Sequence, residues 1–241
     1  TIAVGLLFTG RRGLEISLSS MKPDLGFFKK MMSIGVPASA EQTGRSLSVN
    51  ALVAVVGTIF AGPVVSGYGI AVRIFSMVFL PAAAVGRGVE SMTGQNLGAG
   101  KYNRAADTAR FGAKWTLFIL TGLGAVTFIL AEPISSIFTT NPEIAAVSAE
   151  FLRYVSFSFG FIGVLRSYNG SFRGAGKTLT AAVISIATLG LIRLPIAYFG
   201  ATKIGTKGVW IAFLISNVAG AAIAYLWFQR GTWREQINRK G

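Results

Sequence analysis

The amino-acid sequence predicts an all-α, polytopic membrane protein with six transmembrane helices. Of its 241 residues 52% are apolar, its mean hydropathy is +0.58, and only 13% are Asp, Glu, Lys or Arg, about half of the usual charged share of a soluble domain. One water-soluble core of this size does not hide so much apolar surface. The apolar residues also form long runs, and a helix needs about 20 of them to cross the hydrocarbon core of a bilayer.

Six such runs follow one another along the chain. The segment ALVAVVGTIF lacks the strict alternation of a barrel strand, so we expect helices. Gly62-Pro63 separates the first two runs, a loop containing Glu132-Pro133 follows the third, and Gly205 precedes the sixth, because Gly and Pro interrupt helices. The runs span residues 31–60, 64–95, 109–131, 144–167, 178–201 and 208–229.

The basic residues predict how the helices are oriented. If the chain before the first run is cytoplasmic, sixteen Lys and Arg residues, Arg166 and Arg173 among them, lie on that side, and only Lys203 and Lys207 lie on the other. Cytoplasmic loops carry such an excess, so we expect a cell-membrane protein whose six-helix unit has both ends in the cytoplasm. The expected parts are the end of a preceding transmembrane helix (1–9), a cytoplasmic linker (10–30), the six-helix lobe (31–229) and a cytoplasmic tail (230–241).

The composition excludes most enzymes. The chain has no Cys and no His, so disulfides, thiol nucleophiles, Cys metal sites and the commonest general base are missing. We therefore expect no catalysis, no cofactor and no metal site. A net charge of +14 is also typical of nucleic-acid binders, but here the basic residues punctuate the apolar runs instead of forming one polar face. The lipid bilayer is the expected partner, and nucleic acid is not.

Polar residues inside the runs are the candidate binding residues. A charge at mid-bilayer costs about 2.5–3.5 kcal/mol on insertion scales and usually faces a bundle interior or a cavity. Glu41 and Arg45 lie one helical turn apart, so they are either a structural ion pair or part of a cavity-lining cluster. By elimination Glu41 is the one acid on a polar face within a run, whereas Arg87 and Glu90 are expected to form a structural pair. The candidate substrate-binding or ion-binding residues are Glu41, Gln42, Arg45, Asn50 and Arg73.

Proline and glycine residues are the candidate hinges. Pro37 and Pro81 lie inside the first and second runs, where proline bends a helix. The sequence Gly-Ala-Gly-Lys occurs twice, 76 residues apart, beginning at Gly98 and at Gly174. The repeats, which also contain Gly100 and Gly176, are either two similar turns or a duplicated pair of cytoplasmic gates. The second repeat lacks the first glycine of a P-loop, which argues against nucleotide binding.

Four segments resemble the C-terminal lobe of the multidrug and toxin extrusion (MATE) family. They are GVPASAEQ at 35–42, YGIAVR at 68–73, GQNLGAG at 94–100 and FRGAGKT at 172–178, and the similarity covers the chain from about residue 25. The resemblance implies one lobe of a twelve-helix secondary antiporter, which exports small organic, often cationic, compounds in exchange for sodium ions or protons by alternating access. It also implies that the partner of this lobe is the missing N-terminal lobe.

One position departs from the family. A sodium-using branch of the family has a carboxylate about two turns after the proline of the first helix. At that position this chain has Arg45, and Glu41 is only one turn after Pro37.

Two other functions stay open. One is a lipid-linked oligosaccharide flippase of the same superfamily, which a large cationic cavity for pyrophosphate would support. The other is a membrane structural protein that transports nothing.

Overall fold

A computed structural model describes residues 24–234, and this part of the chain is almost entirely helical, which confirms the all-α fold class. A π-helical stretch, Ala187–Arg193, connects α7 to α8, and a short 3-10 helix, Thr232–Arg234, follows α9. The α-helices are α1 (Leu25–Ile59), α2 (Pro63–Gly98), α3 (Tyr102–Ile129), α4 (Ala131–Phe138), α5 (Pro142–Ser156), α6 (Phe159–Gly174), α7 (Thr178–Ile186), α8 (Leu194–Ile204) and α9 (Thr206–Gln229).

Four helical segments in the described residues are long and apolar enough to cross a membrane. They are α2, α3, the continuous segment Thr178–Ile204 and α9. The predicted fourth run is instead divided, because a turn at 157–158 separates α5 from α6 and leaves them 15 and 16 residues long. The membrane fold class is therefore confirmed, and the count of six spans stays a prediction.

Two predicted boundaries were wrong. Helix α1 begins at Leu25, inside the segment 10–30 that was expected to be a linker, and the loop expected after the third run is the short helix α4. The chain divides into two compact units, Thr1–Val36 and Pro37–Gly241. The described residues of the first unit, 24–36, include the start of α1. The expectations for residues 1–23, which include most of the expected linker, and for 235–241 lie outside the described residues.

The two Gly-Ala-Gly-Lys segments form the same turn. Gly100 and Gly176 have φ angles of 71° and 73°, in the left-handed region that glycine adopts without strain. At each turn the lysine N–H donates to a carbonyl five residues earlier, from Lys101 to Asn96 and from Lys177 to Phe172, at 2.8 Å in both cases. This pattern is the Schellman ending of a helix. The repeat is therefore a duplicated helix end, and its role as a gate stays a prediction.

Helix α6 is the central helix of the second unit, because it packs against α2, α3 and α9. Its approach to α2 is very close, since a Cβ atom added to Gly170 would collide with the Gly86 carbonyl oxygen and one added to Gly174 with the Glu90 carbonyl oxygen. Small residues allow this contact between membrane helices. The contact holds α2 and α6 directly against each other.

Large apolar side chains also cover much of the outer surface of the second unit. Phe118 and Leu191, for example, are 75% and 74% exposed. A soluble monomer rarely exposes so many residues of this kind, whereas lipid covers them in a membrane protein. The surface agrees with the membrane fold class.

The close contact between α2 and α6 makes a stability prediction. Gly170→Ala places a methyl group against the Gly86 carbonyl, and overpacking of this kind costs about 1–3 kcal/mol. We expect a lower midpoint of thermal unfolding for the purified, detergent-solubilised protein. Gly122→Ala is the matched control, because Gly122 also lies in a helix but has open space where the methyl group would be. Equal midpoints for the two variants would show that the helices separate easily.

Candidate functional site

A cavity of about 360 Å³ lies within the second unit. Side chains from α1, α2, α6, α7, the π-helical stretch and α9 line it. The lining contains both apolar and polar side chains, as is common for binding sites of small molecules. The polar lining residues that matter most for its chemistry are Gln42, Arg45, Arg166, Asn169, Arg193 and Asn217.

Helix α1 presents one stripe to this cavity. Arg45, Ser48, Val49 and Leu52 follow the i, i+3, i+4, i+7 pattern, so they lie on one face of the helix. Asn50 lies well away from that face, and it is exposed and not part of the lining. Of the candidate residues on this helix, Gln42 and Arg45 line the cavity and Asn50 does not. Their role in binding stays a prediction.

The guanidinium groups of Arg45 and Arg166 both contact the ring of Phe79. Their central carbons lie 4.5 and 4.2 Å from the ring centroid, which is within the range of cation–π attraction. Arg166 was counted above with the basic residues of cytoplasmic loops. It lies instead inside α6, and it lines the cavity. The count of basic residues could not distinguish a helix residue near a span end from a loop residue.

Arg193 is the third arginine of the cavity, and it is held from several sides. It is 7% exposed, and its Nε donates to Ser216 Oγ at 2.8 Å and its Nη2 to Asn217 Oδ1 at 2.7 Å. Its guanidinium also lies 4.3 Å from the Phe213 ring centroid. Asn217 in turn donates to Ser158 Oγ at 2.9 Å. These contacts fix the end of the π-helical stretch against α9 and the start of α6, so the role of Arg193 is structural.

Glu41 does not form its ion pair with Arg45. Its two carboxylate oxygens accept from Nη1 of Arg173, on α6, at 3.1 and 3.3 Å. Ser185 Oγ donates to the same carboxylate at 2.9 Å, and Asn169 donates to Ser185 at 3.1 Å. Glu41 is therefore next to the cavity through Ser185 and Asn169, which line it, but is not itself a lining residue.

Arg173 also holds the second acid. Its Nε donates to Glu90 Oε2 at 3.2 Å, so one guanidinium group bridges two carboxylates from α1 and α2. The expected pair of Glu90 with Arg87 was wrong, and Arg87 is exposed. The planar fork of arginine suits two acceptors at once. Partners from different helices are not visible in the spacing along one helix, which is why both pairings were missed.

The remaining candidate residues lie apart from the cavity. Arg73 is exposed and does not line it. Pro37 and Pro81 lie within α1 and α2. The sequence analysis did not predict that Phe79, Asn169 and Asn217 line the cavity. The sequence shows only that an aromatic or polar residue occurs at these positions.

The charges around the cavity are unevenly distributed. Three arginines line it, and its lining in the described part of the chain includes no carboxylate. Glu41, which reaches the cavity through Ser185, is bound by Arg173, and Arg173 also binds Glu90. The cavity is therefore a cationic site, which is well suited to hold a group that accepts hydrogen bonds and carries negative charge.

Comparison with known proteins places this architecture in a family. The chain is 28% identical over 204 residues to the probable multidrug resistance protein YpnP of Bacillus subtilis (strain 168), which covers 85% of this chain and 46% of that protein. It is 24% identical over 225 residues to the FAD transporter of Shewanella oneidensis, covering 93% of this chain and 50% of that protein. The chain thus spans about half the length of the curated relatives it matches.

A solved structure shares the fold. It is that of a MOP superfamily transporter from Pyrococcus furiosus, which matches with a TM-score of 0.88 at 20% identity. That transporter is described as having a binding pocket of reversed polarity. The match covers 98% of this chain and 54% of that one. The MatE family model matches residues 37–199, more than half of the chain. The resemblance found in the sequence motifs is confirmed, and the chain belongs to the MatE family.

Proposed function

We propose that the chain is one lobe of a secondary antiporter that exports small organic compounds in exchange for sodium ions or protons by alternating access. The observation that carries the proposal is a charged cavity of about 360 Å³ inside an apolar helical unit. Charges within spans mark pathways for solutes and ions. Relatives named as multidrug resistance proteins support the same activity.

A second lobe completes the transporter in this proposal. Transporters of this kind are built from repeats, and their sites lie near the bilayer midplane between the repeats. The chain spans about half of its relatives, so the first lobe belongs either to the same polypeptide or to another chain. We expect no export by the 241-residue chain in the absence of that lobe.

The proposed orientation has both ends of the lobe in the cytoplasm, which the excess of basic residues supports. The absence of Cys from the sequence makes this simple to test. In the otherwise Cys-free chain, Asn103→Cys, in the first turn of α3, is expected to react with an impermeant maleimide only after the cells are permeabilised. Thr140→Cys, between α4 and α5, is expected to react in intact cells, and both positions are exposed. Labelling of the two from the same side would contradict the orientation.

Glu41 is the coupling carboxylate in this proposal. Its side chain is only 12% exposed, and it is next to the cavity through Ser185 and Asn169. In the described state its charge is compensated by Arg173. A sodium ion or a proton that binds Glu41 would weaken this ion pair, and the pair joins α1 to α6, whose relative movement opens or closes the cavity. The ion and the conformation are thereby linked.

Transport by the complete protein, with both lobes, tests this function. Proteoliposomes loaded with one test compound at a time, either ethidium (an organic cation) or flavin mononucleotide (an organic anion), are exposed to an imposed sodium or proton gradient, and the rate of efflux is measured. We expect gradient-driven efflux from the wild-type protein. Glu41→Gln removes the charge at nearly the same volume, and we expect a loss of about tenfold or more in gradient-driven efflux, since an interaction with a buried charge is worth about 1.5–3 kcal/mol.

The control is Glu132→Gln, because Glu132 is an exposed acid whose ion pair with Arg153 lies at the surface and is worth little. This variant is expected to transport at the wild-type rate. If Glu41→Gln transports normally and with normal ion dependence, coupling belongs to the other lobe and the Glu41–Arg173 pair is structural. If no gradient drives efflux of any tested compound from the wild-type protein, the antiporter proposal fails.

A further inference from the structure

We infer that the cavity of this lobe binds an organic phosphate, and that Arg45 and Arg166 hold the phosphate group. The inference rests on the proposed function, because it names the class of substrate that the transporter carries. Three arguments support it, from the balance of charge, from the free hydrogen-bond donors and from the size and lining of the cavity.

The balance of charge favours an anion. Arg45, Arg166 and Arg193 line the cavity without any lining carboxylate in the described residues. Glu41 lies one turn from Arg45, but Arg173 and Ser185 already bind its carboxylate. These three arginines form no ion pair within 4.0 Å in the described residues. In a site of low dielectric constant their positive charges favour an anion over an organic cation.

The donors that remain free are those of Arg45 and Arg166. Arg193 donates to Ser216 and Asn217, so its guanidinium group is largely occupied. The guanidinium groups of Arg45 and Arg166 contact the face of Phe79, which accepts none of the five N–H donors that each group has. In the described part of the chain neither group forms an ion pair within 4.0 Å. Both groups therefore have donors available for a ligand.

The position of these two groups suits a phosphate. Both guanidinium carbons lie within 4.5 Å of one ring centroid, so the two charges are no more than twice that distance apart. A phosphate monoester carries a charge of about −1.5 to −2 at neutral pH and has three acceptor oxygens, which matches two neighbouring arginines better than a single carboxylate does. Apolar lining residues, among them Leu52, Phe75 and Ile162, then contact the organic part of the compound.

Flavin mononucleotide and riboflavin test the inference, because they differ only by one phosphate group. Their binding to the complete transporter in nanodiscs of phosphatidylcholine is measured by the quenching of flavin fluorescence. We expect the mononucleotide to bind about tenfold or more tightly than riboflavin, and we expect added salt to weaken only the binding of the mononucleotide. Arg45→Gln combined with Arg166→Gln is expected to remove the preference, while the affinity for riboflavin stays within about twofold.

Two further variants separate a lost charge from a damaged fold. Arg110→Gln is the matched control, because Arg110 is exposed and pairs with Asp107 at the surface, and it is expected to keep the preference. Arg45→Glu reverses one charge of the cavity, so it is expected to weaken binding of the mononucleotide and to strengthen binding of ethidium. If the role of Arg45 were only structural, this substitution would not weaken the binding of the mononucleotide and at the same time strengthen the binding of ethidium.

Farnesyl pyrophosphate, added as a competitor, distinguishes a soluble phosphate compound from one carried on a lipid. If it displaces the mononucleotide only weakly, the site takes soluble compounds. If it binds in an Arg45-dependent manner and the mononucleotide does not bind, the phosphate belongs to a lipid, as the flippase reading requires. Both results keep the arginine–phosphate site.

The inference is overturned if the wild-type protein binds the two flavins equally or binds neither flavin and no farnesyl pyrophosphate, or if the double variant keeps the preference. Gradient-driven efflux of ethidium and of flavin mononucleotide, measured on the same preparation, distinguishes this failure from that of the proposed function. Gradient-driven efflux without a preference for the phosphorylated flavin would contradict only the inference of a phosphate site. If the phosphate compound binds in a manner that depends on the arginines but no gradient drives efflux of any compound, only the antiporter proposal fails.

Discussion

The arrangement of charge in this lobe depends on one side chain, Arg173. Its guanidinium group binds Glu41 of α1 and Glu90 of α2 at 3.1 and 3.2 Å. Charges taken out of water need partners and hydrogen bonds to offset their desolvation, and here three of them satisfy one another. Because this cluster binds Glu41, the arginines that line the cavity form no ion pair within the part of the chain that the structure describes.

Those arginines are accommodated by groups that carry no charge. Aromatic rings contact all three guanidinium groups, and hydroxyl and amide oxygens accept from Arg193. The close packing of α2 on α6, through Gly86 and Gly170, accompanies a direct contact between Phe79 of α2 and Arg166 of α6. The lobe thus combines a positive cavity with a tightly packed support, and a cavity of this kind selects its ligand by charge as well as by shape.

Hydropathy alone predicted the fold class, because lipid forces the chain into long apolar helices whose backbone groups are satisfied internally. The repeated Gly-Ala-Gly-Lys segments also predicted similar turns, since the left-handed position at Gly100 and Gly176 is a local requirement. The ion pairs were not predictable in this way. Arg173 contacts acids 132 and 83 residues away in sequence, and spacing along one helix carries no information on such partners. The break of the helix at 157–158 was missed for a related reason, because it contains no Pro or Gly.

The central claim, that Glu41 is bound to Arg173 and leaves Arg45 free, is tested most directly by two double-mutant cycles on the free energy of unfolding. One cycle combines Glu41→Gln with Arg173→Gln, and the other combines Glu41→Gln with Arg45→Gln. We expect a coupling energy on the order of 1–3 kcal/mol for Glu41 with Arg173 and a smaller coupling energy for Glu41 with Arg45. The opposite order, with the larger coupling between Glu41 and Arg45, would mean that the cavity contains a neutralised ion pair and not a free positive charge.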